Sequence, residues 1–350
     1  MVSSVRLRFV TATPLDVRRG SGTYVGIQVL ARALTALGHT VVFETPRIHL
    51  PVFTLERLLF NRTLRRSDAF DVTVGFDMDG YRIADVASLK GVIADEARFE
   101  RGLTRLTMGM QAAREQLHVH RARLVLTTSL YAAGRAQELY GLATRPAIVP
   151  ELIDLEEWRR TLTAPPVDSP RFTLLFVGRF YRRKRLDVLL RAAAILRGRI
   201  PGLEARIVGN GPCRAMLHAL ARELRLESVV TWLGDVSRAE LTREYNRASV
   251  FCLPSVQEGF GIVLLEAMAA GKPIVAARAA AIPETAPHAV LVEPESAEDL
   301  AAGIEALHHS PEARESQAAA GLAWVERFDA PGVAQKFLDT VTRAATCISV

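Results

Sequence analysis

Two carboxylates eight positions apart are the most chemically suggestive residues in this 350-residue chain. They lie in Pro254-Ser255-Val256-Gln257-Glu258-Gly259-Phe260-Gly261-Ile262-Val263-Leu264-Leu265-Glu266. Glu258 follows an apolar run that reads as a strand. Gly259 and Gly261 permit an unusual backbone before a helix begins. Glu266 falls about two turns into that helix, among Val263, Leu264, Ala267 and Met268. A carboxylate in such surroundings is costly to bury without partners, and sugar hydroxyls are natural partners for both acids. The bland alternative is one carboxylate at a helix N-terminus and another on the surface.

A second cluster is cationic. Gly178-Arg179-Phe180-Tyr181-Arg182-Arg183-Lys184 sits where a strand ends and a helix starts. Open α/β sheets bind ligands at the carboxyl ends of their strands, and several cations there suit a diphosphate. A solvated charge run is the alternative, and Arg182, Arg183 and Arg185 are expected to be mostly solvated. Near the start of the chain, Gly20-Ser21-Gly22-Thr23 joins another strand to a helix, whose unpaired N–H groups would attract an anion. Up to Gly26 the spacing is G-x-G-x-x-x-G, which is not the G-x-G-x-x-G dinucleotide fingerprint. A plain tight turn explains that loop equally well.

The elements that must position these residues alternate. Apolar runs at 5–12, 39–45, 71–76, 90–95 and 123–128 read as strands, and Val25, Val29, Leu30, Ala33, Leu34 and Leu37 mark a helix over 23–38. The series restarts with strands at 172–178, 204–209, 228–234, 249–254 and 272–277, and a helix over 185–198. Thr163–Pro170 is Pro-rich and reads as a linker. Strands alternating with helices give an α/β class with doubly wound parallel sheets, here two Rossmann-like domains.

In combination these segments resemble the GT-B retaining glycosyltransferases of family 4, the glycosyl transferases group 1. Their E-x7-E element reads EGFGIVLLE, and the likeness continues in AMAAGKPIVAA (267–277), Ile282-Pro283-Glu284, FVGRFYRRK, IVGNGP (207–212), VTWLGDV (230–236) and Val149–Asp154. The resemblance implies an acceptor-binding domain over 1–165 and a nucleotide-sugar-binding domain over 166–330, facing across a cleft. A C-terminal helix within 331–350 would cross back to the first domain. It implies that Glu266 holds the ribose hydroxyls, that Glu258 contacts the donor sugar, and that Arg179 and Lys184 clamp the diphosphate. Backbone N–H groups of Gly259, Phe260, Gly261 and Ile262, with Gly20 and Gly22, would cradle phosphate and sugar. The implied reaction is retaining transfer to an acceptor hydroxyl, with no cofactor and no metal, the two cations replacing Mg²⁺.

The chain departs from that pattern in three places. The acceptor-side histidine is missing, so Asp77, Asp79 and Asp95, with Glu96, become the acceptor-side candidates. Arg185 stands where a glycine is common after the lysine, and Ala280-Ala281 replaces a glycine pair before Ile282-Pro283-Glu284. Two other functions remain open from sequence: a sugar-nucleotide epimerase of the same fold, and an NAD-dependent dehydrogenase, which the missing fingerprint disfavours.

Composition narrows the rest. Three cysteines are too few and too scattered for a disulfide framework or zinc site. His118-Val119-His120 is read as a solvated helix face rather than a chelate. The start of the chain lacks a signal-peptide h-region, and no run approaches the ~20 apolar residues of a spanning helix, so a cytoplasmic, bacterial enzyme is expected, peripheral at the inner membrane surface at most. The formal charge of +6 comes without aromatic-interleaved basic segments, which argues against nucleic acid. Expected partners are the nucleotide sugar and a sugar, glycolipid or small-molecule acceptor. Residues 47–66 carry five Arg, one Glu and several large apolar side chains, a composition suited either to anionic lipid or to a helix packed on its own domain.

Overall fold

A computed structural model describes residues 4–13, 22–50, 52–162 and 171–346. The chain forms two compact units, Met1–Leu152 with Phe328–Val350, and Ile153–Arg327. The first contains β1 (Arg6–Val10), α1 (Gly22–Ala36), β2 (Thr40–Glu44), α2 (Phe53–Thr63), β3 (Val72–Phe76), β4 (Val86–Leu89), α3 (Ile93–Ala97), α4 (Gly102–Arg121), β5 (Leu124–Thr127), α5 (Leu130–Tyr140) and β6 (Ala147–Ile148). The second contains α6 (Leu155–Thr161), β7 (Thr173–Val177), α7 (Leu186–Leu196), β8 (Glu204–Val208), α8 (Arg214–Glu223), β9 (Val230–Gly234), α9 (Arg238–Arg247) and β10 (Val250–Leu253). It continues with α10 (Ile262–Ala269), β11 (Ile274–Ala277), α11 (Ile282–Thr285), β12 (Val290–Val292), α12 (Ala297–His309) and α13 (Pro311–Val325). The last helix, α14 (Ala330–Thr346), belongs to the first unit.

Each unit is built on one six-stranded parallel sheet. The first has the order β2-β1-β3-β4-β5-β6 and the second β12-β11-β10-β7-β8-β9. Counted along its own segment, the second sheet has the 3-2-1-4-5-6 order of dinucleotide-binding folds, and the first extends the flavodoxin-like order. In such sheets the crevice opens where the strand order reverses, between β1 and β3 in one unit and between β7 and β10 in the other. The residues that immediately follow β3, β7 and β10 are therefore the ones placed to meet a ligand.

The cores follow from strands buried on both faces. Phe9 in β1 meets the rings of Phe43, Phe76 and Phe337 edge-on, at 5.9, 5.1 and 6.0 Å. Phe337 brings α14 into that core, where α14 packs on α1. In the second unit Leu174, Leu175 and Phe176 of β7 and Val250–Leu253 of β10 are buried throughout.

Two expectations change. The strand placed over 90–95 is β4 at Val86–Leu89, and Ile93–Asp95 instead begin α3. Two short apolar runs stand side by side there, and runs of that length carry no period that separates strand from helix. Pairing decides: Val86 and Ala87 take their register from Val74 and Gly75 of β3 and from Leu124 and Val125 of β5. The break expected at Pro165-Pro166 falls outside the described residues, whereas the compact units part at Leu152/Ile153. The reason is Trp158 of α6, which is buried against Tyr245 with ring centroids 5.6 Å apart.

Candidate active site

In the second unit, the loops leaving β7 and β10 lie at the reversal point and are bonded to each other. The Val256 amide donates to the Arg183 carbonyl at 2.9 Å. Lys184 Nζ donates to Glu258 Oε1 at 2.5 Å, and both side chains are largely buried. Glu258 and Lys184, far apart in sequence, are thus one ion pair. Arg179 has a different partner, Asp235 just past β9, at 3.7 Å in a half-exposed position. Glycines allow this crowding. A Cβ on Gly209 would lie 2.1 Å from the Gly178 carbonyl oxygen, and one on Gly211 would lie 2.6 Å from the Phe180 nitrogen. The turn to α10 needs Gly261, whose φ is +90°.

Gly259 and Phe260 line that same turn, with Ile262 first in α10. The Phe260 carbonyl accepts from Thr285 Oγ1 at 2.8 Å, and the Glu258 carbonyl from the Ala281 amide at 3.3 Å. Beside them Ser255 Oγ and Gln257 Oε1 are buried with no hydrogen-bond partner among the described residues. Orphaned polar atoms of this kind are rare in folded proteins, and they lie in the loop that carries Glu258.

Glu266 occupies a prepared box. Its Oε2 accepts from the Tyr245 hydroxyl at 3.0 Å, and its Oε1 lies 3.5 Å from the Arg238 guanidinium. That guanidinium stacks on Trp158, 4.1 Å from the ring centroid. Burial raises the Glu266 carboxyl above its ordinary range, while Arg238 and the Tyr245 hydroxyl pull it down. Each oxygen keeps lone pairs for a further donor. Tyr245 and Arg238, which come from α9, carry no motif that marks them in the sequence.

The flanking arginines do not behave alike. Arg182 is exposed as expected. Arg185 is not a free solvated cation. It forks onto Asp187 at 3.1 and 3.0 Å and also pairs with Glu295. Arg183 is partly buried, its guanidinium 5.2 Å from the Tyr181 ring centroid.

In the first unit the three acceptor-side aspartates separate by environment. Asp79 is fully buried, accepting from the Ala12 amide (2.7 Å), from Arg57 (3.1 and 2.9 Å) and from Asn61 (3.0 Å). Asp95, in α3 with Glu96, is buried by Tyr131 (2.6 Å) and Arg135 (2.8 Å). Both carboxylates already accept from donors of the first unit. Asp77 alone follows β3 directly, at the reversal point, and stays partly exposed. Its φ is +52°, a left-handed conformation costly for a non-glycine residue. Burial lifts its carboxyl to about 6, against the pull of Arg57 and a 2.9 Å bond from the Lys90 amide.

Two neighbours of Asp77, His118 and Lys90, were not anticipated in that role. His118 is buried rather than solvated, its Nδ1 donating to the Asp77 carbonyl at 2.6 Å, and burial pushes it down to about 4. Lys90, first after β4, is buried and donates to the buried Glu151 at 3.1 Å. Glu151 in turn lies against α1, 2.5 Å from where a Cβ on Gly26 would stand. The usable signal was Lys90 itself, one of four lysines among 44 basic residues. Gly22 is the first residue of α1, and Gly20 lies outside the described residues.

Residues 161–324 match the family described as glycosyl transferases group 1. That stretch holds Arg179, Lys184, Glu258 and Glu266 together. These residues belong to the glycosyl transferases group 1 family. Among curated relatives, the D-inositol 3-phosphate glycosyltransferase of Pseudarthrobacter chlorophenolicus is 35% identical over 205 residues, covering 55% of this chain and 49% of that protein. The chain thus spans about half the length of that relative. The GDP-mannose-dependent alpha-(1-6)-phosphatidylinositol monomannoside mannosyltransferase of Mycobacterium tuberculosis is 28% identical over 320 residues, 86% of this chain and 82% of that one. Among solved structures, sucrose-phosphate synthase from Thermosynechococcus elongatus aligns with a TM-score of 0.78 at 20% identity, over 97% and 99% of the two chains. Anabaena Alr3699/HepE in complex with UDP-glucose gives 0.74 at 19%, over 97% and 100%. At such identities the structures establish the fold, which is GT-B.

Proposed function

We propose that this chain is a retaining, metal-independent glycosyltransferase of family 4 that moves a sugar from a nucleotide-diphosphate sugar to an acceptor hydroxyl. The observation that carries the reading is the pairing of Lys184 with Glu258 at the reversal point of the second sheet, with Arg179 on the same loop after β7 and Glu266 boxed on α10. The relatives point the same way: one is named GDP-mannose-dependent, and one structure holds UDP-glucose.

Glu266 keeps acceptor capacity for the ribose hydroxyls, and Tyr245 and Arg238 orient it. Lys184 and Arg179 are compact and planar cations, suited to a diphosphate whose charge grows as the glycosidic bond breaks. Entry of the diphosphate would draw Lys184 from Glu258 and release that carboxylate to the sugar hydroxyls. The acceptor attacks from the face the nucleotide leaves, and its proton passes to the departing phosphate. Positioning and charge stabilisation then supply the rate. Asp77 stands as the acceptor-side group.

The experiment is a thermal-shift screen of UDP- and GDP-sugars, followed by NMR of the product's anomeric centre. A true donor at about 100 times its Kd adds about 2.7 kcal/mol to stability. Turnover in excess EDTA and an unchanged anomeric configuration are expected. Inversion, or loss of activity on chelation, overturns the reading.

A further inference from the structure

We infer that His118 of α4 is a positioning residue for transfer, holding the turn at Asp77 so that the Asp77 carboxylate meets the acceptor hydroxyl. The inference rests on the reading of Asp77 as the acceptor-side group.

Asp77 is gripped at three points. Its amide donates to the Ser88 carbonyl of β4 at 3.1 Å. Its Oδ1 accepts from the Lys90 amide at 2.9 Å, and its carbonyl accepts from His118 Nδ1 at 2.6 Å. Its Oδ2 accepts no bond among the described residues, and Asp77 keeps part of its surface open. The left-handed φ of +52° costs free energy, and such strain persists only where the surroundings enforce it. Ser88 and Lys90 act through main-chain atoms, which any sequence would supply at those positions. His118 alone grips Asp77 with a side chain.

That side chain sits where packing would not choose it. His118 is 1% exposed, and its Nε2 is buried with no partner among the described residues. A carbonyl only accepts, so Nδ1 carries the hydrogen and Nε2 is bare. A protonated ring would bury a second N–H with nothing to receive it, which agrees with the downward push of burial on this group. An apolar side chain would fill the space without leaving a polar atom orphaned. The ring lies flush on the strand that delivers Asp77. A Cβ on Gly75 of β3 would stand 2.6 Å from His118 Cε1 and 2.9 Å from Nε2.

The rest of α4 works in the same way. Gln111, Glu115 and His118 recur at helical spacing, and all three are buried. Gln111 accepts from Arg57 at 2.9 Å, and Arg57 holds Asp79. Glu115 accepts from the Ile93 amide, at the start of α3, at 2.8 Å. One polar helix face therefore sets the segments that follow β3 and β4, and His118 completes the row at Asp77.

The test replaces each ring nitrogen separately. Asn carries its amide nitrogen near the place of Nδ1, and Gln near that of Nε2. Nucleotide release from UDP-glucose and from GDP-mannose, with methyl hexopyranosides as acceptors, gives kcat and KM per folded enzyme. His118→Gln should lower kcat for transfer by about tenfold or more, whereas His118→Asn should stay within about threefold of wild type. Binding of UDP and GDP, read by calorimetry, should not change in either variant. Asp77→Asn should lower kcat by a similar factor. In that background His118→Gln should cost less than about twofold more, since the ring acts through the lost carboxylate. A loss that only followed melting temperature would be the same in both backgrounds and would overturn the assignment. So would a His118→Gln chain that turns over normally, an Asn variant as poor as the Gln variant, or an Asp77→Asn chain at wild-type rate. A wild-type chain that transfers from no donor of the thermal-shift screen overturns the transferase reading itself, a result distinct from all of these.

Discussion

Lys184 and Glu258 share one short bond, so removing Lys184 takes the cation from a largely buried carboxylate. Lys184→Ala should lower kcat by about 100-fold or more, a loss near 3 kcal/mol, with a smaller change in donor KM. Glu258→Gln should also act mainly on kcat, and the double variant should cost less than the two losses added, a cycle read by steady-state kinetics. Arg182→Ala should stay near wild type, because Arg182 is exposed. Glu266→Gln should instead weaken nucleotide binding, read by calorimetry. A second residue-scale prediction concerns pH. His118 is held neutral by burial, so its folded state binds fewer protons than the unfolded chain between about 4 and 6.5. Its contribution to stability therefore rises with pH across that window. Asp77, lifted to about 6, works in the opposite sense, and its contribution falls as pH rises from about 4 to 6. Relative to wild type, His118→Gln should be better tolerated at pH 4 than at pH 7 by about 3 kcal/mol, and Asp77→Asn better tolerated at pH 7 than at pH 4. Urea melts at the two pH values measure both.

At the scale of elements, two departures from the family pattern fall on left-handed backbone. Arg185 has φ +47° and Ala280 φ +51°. Glycine is common at the first position and in the pair at the second because a Cβ there costs about 1–2 kcal/mol. Ala280→Gly should therefore stabilise by about 0.5–1 kcal/mol once the greater freedom of the unfolded glycine is counted. Arg185→Gly relieves the same strain but loses the ion pairs to Asp187 and Glu295, which are worth about as much. It should fall within about 0.5 kcal/mol of wild type. Denaturant midpoints decide between the two outcomes. The same reasoning explains α2, where the demand of buried Asp79 for partners outweighs the exposure of Leu55 and Leu59.

For the whole molecule, the division into two units makes the effects of substitutions local. Phe337 of α14 completes the ring cluster around Phe9 in the first unit. Phe337→Ala should cost about 3–5 kcal/mol. Hydrogen exchange should show the loss in amides of 4–152, while nucleotide affinity of the second unit stays within about twofold of wild type. Loss of protection spread equally over 171–327 would mean that the two units unfold as one.

Local pattern was enough for much of this protein. The alternation of strands and helices is a matter of neighbouring residues, so the two parallel α/β units were legible. So were Glu258 and Glu266, because one loop and one helix carry both. Arg179 and Lys184 were legible for the same reason, sitting on one strand-to-helix turn. What joins distant segments was not legible. Strand order brought Lys184 to Glu258, Tyr245 and Arg238 to Glu266, and Lys90 to Glu151. Pairing across the first sheet moved a predicted strand from 90–95 to Val86–Leu89, and burial of Trp158 put α6 with the second unit. His118 reads as a surface residue by period and becomes a buried support of Asp77 only because α4 packs against the end of β3. Periodicity shows that a helix has two faces. Which face turns inward depends on what waits there, and for α2 that was a buried carboxylate needing cations and amides beside a small apolar cluster that takes Phe60.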